Sequence, residues 1–292
     1  MTASPQRRLR AALVQLRSGR SVEANLANVE ALIRRAAESG ASYVQTPENT
    51  AAMVLKPELV LETAQYEADS APLARLRALA AELGIFLHIG SLAIKLDQGR
   101  VANRSFVVAP QGEIAARYDK LHLFDVDLAG GESYRESAHC RPGAKAVLAD
   151  LPFGRLGLSI CYDLRFPQLY RALASAGADM IAVPAAFTRQ TGEAHWHVLI
   201  RARAIESGAF VLAATQGGMH ENGRATYGHS LIVSPWGEVL AEGGEEPGVI
   251  VADIDLASSA EARARIPALK HDRAFEIEIA GRAPQVARKE AS

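Results

Sequence analysis

Short apolar runs alternate with longer amphipathic segments between residues 9 and 265 of the chain. Apolar residues within 22–38 recur at the spacing of one helix face, whereas runs such as 101–108 are short and rich in β-forming residues. The predicted strands are 9–16, 43–46, 86–92, 101–108, 113–118, 156–160, 180–183, 210–214, 230–234, 238–242 and 249–254, and the predicted helices are 22–38, 73–83, 168–176, 193–206 and 256–265. This order is typical of α/β proteins, in which helices cover a core built on sheet.

Two turn signals predict hairpins within this pattern. Pro110-Gln111-Gly112 separates the strand-like runs 101–108 and 113–118, and Pro235-Trp236-Gly237 separates 230–234 and 238–242. Neither a low-complexity linker nor a short repeat interrupts the sequence. We therefore expect a single domain over residues 1–280, followed by a polar C-terminal tail at 281–292.

The composition is that of a soluble globular protein, with 49% hydrophobic and 22% charged residues among 292. The formal net charge of −1 gives no reason to expect a nucleic-acid or membrane-surface partner. Two cysteines, Cys140 and Cys161, are too few for a disulfide framework and fit a reducing compartment. The first apolar stretch stops at Gln15 and Arg17, which is too short for a signal peptide. We expect a cytoplasmic protein without a membrane partner.

Cys161 is the strongest candidate for chemistry. It ends the apolar run 155–160, and Pro167 then opens an Ala- and Leu-rich helical pattern. The thiol would therefore lie at a strand-to-helix turn, where a helix N-terminus favours the nucleophilic thiolate. The alternative is that Cys161 is one more small buried hydrophobic residue.

Two charged residues also follow strand-like runs. Glu48 comes after 43–46, and Lys120 comes after 113–118. Because ligand sites gather at strand ends in α/β sheets, Glu48, Lys120 and Cys161 can converge. A base, a cation and a nucleophile are what acyl transfer at an amide requires. Taken singly, each charged residue could instead be an ordinary loop or capping residue on the surface.

The segments around these three residues resemble the catalytic motifs of the nitrilase superfamily of carbon–nitrogen hydrolases. The resemblance extends from about Leu9 to Arg273 and is carried by Thr46-Pro47-Glu48, Tyr118-Asp119-Lys120-Leu121-His122-Leu123-Phe124-Asp125, Gly157-Leu158-Ser159-Ile160-Cys161-Tyr162-Asp163-Leu164-Arg165-Phe166-Pro167, Thr191-Gly192-Glu193-Ala194-His195-Trp196, Arg201-Ala202-Arg203-Ala204-Ile205-Glu206 and Tyr227-Gly228-His229-Ser230. It implies a four-layer α-β-β-α sandwich. It also implies that protomers pair through their outer helices into a homodimer or larger homo-oligomer.

The resemblance also implies roles for individual residues. Glu48 would be the general base, Cys161 the nucleophile that forms a thioester acyl-enzyme, and Lys120 the cation that stabilises the oxyanion together with the backbone N–H of Tyr162. A further glutamate would orient Lys120; Glu136 matches it, with Glu132 as a rival because their loop departs from the pattern.

Three further residues match substrate contacts of the family's amidases, namely Arg165, Phe187 and Thr191. An arginine can pair bidentately with a substrate carboxylate. The alternatives are an ion pair of Arg165 with Asp163 or another acid, and a purely packing role for Phe187.

Two branches of the superfamily are similar to this chain: the deaminated-glutathione amidases and the ω-amidases that hydrolyse 2-oxoglutaramate. Residues 195–206 and 226–233 look more like the first branch, while the loop 128–142 departs from both. A small amide bearing a carboxylate is therefore the expected substrate, and a true nitrilase is the less favoured alternative.

We expect neither a metal nor another cofactor. His195 and His197 point to different sides of a helix, so a zinc site made from them with His139 and Cys140 is not expected. Gly217-Gly218 lacks the spacing of a phosphate-binding loop.

Overall fold

The computed structural model describes residues 7–54, 56–129 and 131–280. The polar tail predicted at 281–292 lies outside the described residues. None of the helices within the described ranges is both long and apolar enough to cross a membrane.

The strands of the described residues are β1 (Arg8–Gln15), β2 (Tyr43–Gln45), β3 (Phe86–Lys95), β4 (Val101–Val108), β5 (Ile114–Asp119), β6 (Asp125–Asp127), β7 (Ser133–Arg135), β8 (Val147–Leu151), β9 (Gly154–Leu158), β10 (Met180–Ala182), β11 (Phe210–Ala213), β12 (Gly217–Met219), β13 (Ala225–Tyr227), β14 (Leu231–Val233), β15 (Val239–Glu242) and β16 (Gly248–Asp255). They form two six-stranded sheets at the centre of the fold, with strand orders β16-β1-β2-β3-β4-β5 and β15-β14-β11-β10-β9-β8. Two short pairs, β6–β7 and β12–β13, lie outside these sheets.

The two sheets share one plan. Three neighbouring strands at the centre of each sheet are parallel, β1-β2-β3 in the first and β9-β10-β11 in the second. Antiparallel strands flank each parallel trio on both sides. The loops that follow β2, β9, β10 and β11 therefore leave parallel strands at their carboxyl ends, where α/β folds place ligand sites.

Six α-helices in the described part of the chain complete the layers. They are α1 (Val22–Glu38), α2 (Pro57–Thr63), α3 (Ala71–Leu83), α4 (Pro167–Ser175), α5 (Arg189–Ser207) and α6 (Ala257–Arg265). The Ser21 hydroxyl caps the first turn of α1, and the Thr188 hydroxyl caps that of α5. Helix α5 ends at Ser207 and is capped by Gly208, whose φ of 54° lies in the left-handed region that glycine tolerates.

Apolar side chains hold the layers together. Helices α1 and α3 bury Val29, Ile33 and Leu76 against the first sheet. Helices α4 and α5 pack against the second sheet in a cluster that also fills the space between the sheets. Tyr43 and Leu158, one from each sheet, are fully buried in this cluster. The predicted α-β-β-α sandwich is thus confirmed.

The elements that the sequence did not predict are short or carry several charges. They are α2, β6, β7, β8, β12 and β13. Three-residue strands such as Asp125–Asp127 offer too few positions for an alternating pattern to be recognised. Helix α5 begins four residues before the predicted start because Thr188 caps it there.

Candidate active site

The loop after β2 brings Glu48 to the carboxyl end of the first sheet. The chain turns sharply at Asn49, which has a left-handed φ of 58°. Gly90 of β3 lies directly beneath this turn, and a Cβ there would overlap the carbonyl oxygens of Thr46 and Pro47. Glycine at position 90 therefore allows the loop to approach β3 and place Glu48 in the interior.

The loop after β9 holds Cys161 in an unusual backbone conformation. Its φ is 48°, a left-handed value that is rare for a residue with a side chain. The Cys161 N–H donates to the Pro184 carbonyl oxygen at 2.9 Å, which ties the turn to the loop after β10. Such strain persists only where surrounding contacts hold it, and it is common at functional sites.

Asp163 supplies many of those contacts. Its buried carboxylate accepts hydrogen bonds from the Ile160 N–H at 2.8 Å, the His122 N–H at 3.0 Å and the Tyr118 hydroxyl at 2.7 Å. Tyr118 and His122 flank Lys120 in the chain, so Asp163 fixes the Lys120 segment against the Cys161 turn. The described residues form no ion pair between Arg165 and Asp163, which was the alternative considered from the sequence.

Lys120 lies at the centre of a buried ion cluster. Its side chain is only 2% exposed, and its Nζ is 2.8 Å from Glu48 Oε1 and 2.9 Å from Glu136 Oε2. Asn103 of β4 donates from Nδ2 to Glu48 Oε1 and to Glu136 Oε1, at 3.0 Å each. Burial alone would lower the pKa of the Lys120 ammonium, but the two carboxylates outweigh burial and raise this pKa well above 10.5.

Glu48 is held ionised. Burial raises the pKa of its carboxyl, but the Lys120 charge and the hydrogen bonds from Lys120 and Cys161 outweigh burial and bring the pKa below 4.5. The second carboxylate oxygen of Glu48 accepts the Ala186 N–H at 3.0 Å. Glu48 therefore stands beside the thiol as a carboxylate that can accept a proton.

The surroundings of Cys161 oppose a thiolate, whereas the sequence led us to expect a helix N-terminus that favours one. Burial and the adjacent Glu48 charge raise the pKa of the thiol, and Lys120 only partly opposes them. A short 3₁₀ turn, Cys161–Arg165, also separates the thiol from the N-terminus of α4, which begins at Pro167. Neither the burial of the thiol nor the position of α4 therefore favours a thiolate at Cys161.

The structure separates the two rival glutamates. Glu136 contacts Lys120 and Asn103 and accepts the Phe124 N–H at 2.7 Å. Glu132 is exposed and accepts a hydrogen bond from the Tyr134 hydroxyl at 3.0 Å. Of the two, it is Glu136 whose carboxylate reaches Lys120.

A cavity of about 330 Å³ opens onto this cluster, which is large enough for a small ligand. Cys161, Glu48 and Lys120 lie in its wall, together with Asn103 and Arg224. The loop 128–142, singled out by its departure from the family pattern, supplies much of the remaining wall through Ser133, Tyr134, Arg135, Glu136, Ala138, His139 and Cys140.

The residues predicted to contact substrate lie outside the wall of this cavity. Tyr162 packs its ring on Phe124 and Phe166, and Arg165 donates from Nη1 to His195 Nδ1 at 3.3 Å. Phe187 is buried against Trp196 on α5.

Thr191 shares a buried hydroxyl–hydroxyl hydrogen bond of 2.8 Å with Thr188, the cap of α5. Its hydroxyl thus has a partner within the helix cap. The substrate roles of Tyr162, Arg165, Phe187 and Thr191 stay predictions.

The sequence did not single out Asn103 or Arg224 as site residues, and it considered Asp163 only as a partner of Arg165. Asp163 lies two residues after the nucleophile, so its position within the motif was a usable signal. Asn103 lies inside β4, and Arg224 lies between the short strands β12 and β13. Neither position in the sequence is typical of an active-site residue.

One group of side chains in the described part of the chain could hold a metal ion. His197, His229 and Glu242 place ligand atoms within 4.8 Å of one another, and both imidazoles lie 2.9 Å from Glu242 Oε1. None of the three residues lines the cavity beside Cys161. His195, His139 and Cys140, the partners considered from the sequence, do not belong to this group.

Comparison with known proteins places this geometry in a family. The carbon–nitrogen hydrolase family model matches residues 10–264. A deaminated glutathione amidase of Synechocystis is 42% identical over 263 residues, covering 89% of this chain and 97% of its own. An omega-amidase of Bos taurus is 36% identical over 271 residues, covering 92% of this chain and 97% of its own.

Solved structures agree with the sequence comparisons. The NitFhit protein of C. elegans superposes with a TM-score of 0.85 at 36% identity, over 92% of this chain and 66% of that longer one. An amidase variant of Nesterenkonia, with acrylamide added to its active-site cysteine, has a TM-score of 0.75 at 29% identity, over 89% of this chain and 98% of its own. The chain therefore belongs to the carbon–nitrogen hydrolase family.

Proposed function

We propose that this carbon–nitrogen hydrolase is a cysteine-dependent amidase of a small carboxylate-bearing amide. The leading substrate is deaminated glutathione, which would yield 2-oxoglutarate and cysteinylglycine. The observation that carries the proposal is the convergence of Cys161, Glu48 and Lys120 on one cavity of about 330 Å³. Nucleophile, base and cation are the three groups that acyl transfer needs.

In the acylation step, Glu48 accepts the Cys161 thiol proton while the sulfur attacks the amide carbonyl carbon. Lys120 and the backbone N–H of Tyr162 stabilise the negative charge that develops on the carbonyl oxygen. Glu48 then gives its proton to the amide nitrogen, the carbon–nitrogen bond breaks, and the amine leaves. The acyl group remains on Cys161 as a thioester.

In the second step, Glu48 removes a proton from a water molecule as the water oxygen attacks the thioester carbonyl. The carbon–sulfur bond breaks, the Cys161 sulfur recovers a proton from Glu48, and the carboxylic acid is released. Glu136 does not exchange protons in this scheme. Its carboxylate keeps Lys120 charged and in position, at an Oε2–Nζ distance of 2.9 Å.

The names of the relatives support the choice of substrate, since several curated relatives near 40% identity are deaminated glutathione amidases. Cysteinylglycine is a large leaving group and needs space in the cavity beside the scissile bond. The loop 128–142 contributes seven residues to the cavity wall. The second candidate is 2-oxoglutaramate, supported by the similarity to a bovine omega-amidase. Both substrates would use the same three residues.

We also propose that the protein acts as a homodimer or larger homo-oligomer. Helix α5 exposes two large apolar side chains, Val198 at 69% and Ile205 at 54%. Burying such side chains against a second copy would remove apolar surface from water.

Substituting Cys161 by alanine should abolish amide hydrolysis and leave the fold intact, because alanine keeps the Cβ in the same strained turn. Release of cysteinylglycine from deaminated glutathione, and of ammonia from 2-oxoglutaramate, should fall to background. Mass spectrometry should detect an acyl adduct on a Cys140→Ala variant and none on Cys161→Ala. Near-wild-type turnover by Cys161→Ala would contradict covalent catalysis at this residue.

Glu48→Gln and Lys120→Met should each reduce kcat by about 100-fold or more, the range for general bases and oxyanion-stabilising groups. The glutamine keeps an oxygen for the Ala186 N–H, whereas methionine leaves two buried carboxylates without their cation. Thermal unfolding must therefore accompany the kinetics of Lys120→Met. The double variant should lose less than the product of the single losses, because the residues act as a unit. Independent, multiplicative losses would argue against a shared site.

Competition between deaminated glutathione and 2-oxoglutaramate should favour the former by about tenfold or more in kcat/KM, since one buried polar contact is worth roughly 1–3 kcal/mol. Cysteinylglycine and ammonia, measured from the same mixture, report the two reactions separately. A preference for 2-oxoglutaramate would assign the enzyme to the omega-amidase activity and leave the chemistry of Cys161 unchanged.

A further inference from the structure

The hairpin β12–β13 carries an arginine, Arg224, to the mouth of the catalytic site. The loop between the two strands is closed by the His220 N–H, which donates to the Arg224 carbonyl oxygen at 2.9 Å. The His220 ring lies 2.9 Å from the Ser18 carbonyl oxygen and 2.7 Å from the Thr226 hydroxyl, and Asn222 donates to the Met53 carbonyl oxygen at 3.0 Å. The position of Arg224 is therefore fixed by contacts with several parts of the chain.

One residue, Ala186, links the guanidinium of Arg224 to the proposed base. Its Nη2 donates to the Ala186 carbonyl oxygen, and the N–H of the same residue, Ala186, donates to Glu48 Oε2 at 3.0 Å. The Tyr134 ring lies on the other side, with its centroid 5.1 Å from the guanidinium carbon. Arg224 and Tyr134 both line the cavity that contains Cys161.

Arg224 differs from Lys120 and Arg135, which also line the cavity, in its ion pairing. Lys120 is held by two carboxylates, and Arg135 forms a two-pronged pair with Asp127 at 2.7 and 2.8 Å. Among the described residues, the ion pairs do not include Arg224, and its buried Nε has no hydrogen-bond partner. The charge of Arg224 is therefore not neutralised by an ion pair with a carboxylate of the described residues.

The catalytic cluster has a net negative charge, so the positive charge of Arg224 affects the binding of an anionic substrate. Glu48, Lys120 and Glu136 together carry two negative charges and one positive charge. A substrate carboxylate entering the cavity would be repelled by this excess negative charge, and Arg224 offsets it. Arg165, the arginine favoured by the sequence, lies outside the cavity wall and is bonded to His195.

We propose that Arg224, stacked on Tyr134, binds the 2-oxo acid carboxylate of the substrate and so selects anionic amides. This inference rests on the proposed amidase function and adds the residue that would decide which amides are accepted. A guanidinium offers planar donors that match a carboxylate, and its contact with an aromatic face limits its motion before binding.

The test compares deaminated glutathione with its derivative methylated at the 2-oxo acid carboxyl, following cysteinylglycine release from both. For Arg224→Gln, kcat/KM on the free acid should fall on the order of 10- to 100-fold, mainly through KM, as expected for a lost charge-assisted hydrogen bond. The ester should be affected far less. Arg224→Lys keeps the charge and should recover part of the loss.

Arg77→Gln is the matched control. Arg77 on α3 also donates to a backbone carbonyl oxygen, that of Gly112 at 2.8 Å, but lies outside the cavity wall. Both substrates should be hydrolysed by this variant as by the wild type.

The outcomes separate this inference from the proposed function. Equal losses on acid and ester in Arg224→Gln would mean a structural role and overturn the inference. Discrimination lost in Arg165→Gln but kept in Arg224→Gln would assign the carboxylate to Arg165 and also overturn it. Failure of the wild type to hydrolyse deaminated glutathione at all would instead count against the proposed function.

Discussion

Burial of the charges on Glu48, Lys120 and Glu136 is the constraint on which this structure depends. Removing charged groups from water is expensive unless each has a partner at close range. Lys120 meets this requirement with two carboxylates, and Asn103 bridges the same two carboxylates from β4. Loss of Lys120 would leave two carboxylates in the interior without their cation, so the loops that carry these residues must all reach the same point.

This constraint also sets the chemistry. Lys120 favours an ionised Glu48, whereas burial and the Glu48 charge both raise the pKa of the Cys161 thiol. In the proposed mechanism, Glu48 is therefore ionised before the substrate binds, and the thiolate forms as the thiol proton moves to Glu48. The left-handed backbone at Cys161, with a φ of 48°, is held by Pro184 and by the Asp163 hydrogen bonds that also position Lys120.

The sequence predicted the order of the main strands and helices and the convergence of Glu48, Lys120 and Cys161. Strands that run in the same direction end at the same edge of a sheet, where ligand sites gather. Glu48 follows β2, and Lys120 follows β5, which runs in the same direction as β3 because the antiparallel strand β4 separates the two. Asn103 and Arg224 were not predicted as site residues because their roles depend on contacts between distant segments. Asn103 is 55 residues from Glu48 in the sequence, and Arg224 is 38 residues from Ala186. The helix N-terminus expected to ionise Cys161 is displaced by a 3₁₀ turn, which no hydrophobic pattern reveals.

The most direct test of this account is the ionisation of Cys161, read as the pH-dependent thiolate absorbance of the wild type minus that of Cys161→Ala. The account predicts no thiolate signal from Cys161 at neutral pH, and a signal at lower pH in Glu48→Gln than in the wild type. The second result follows because the Glu48 charge and hydrogen bond raise the pKa of the thiol while Lys120 lowers it. A full thiolate signal in the wild type at pH 7, absent from Cys161→Ala, would contradict proton transfer to Glu48 as the activating step.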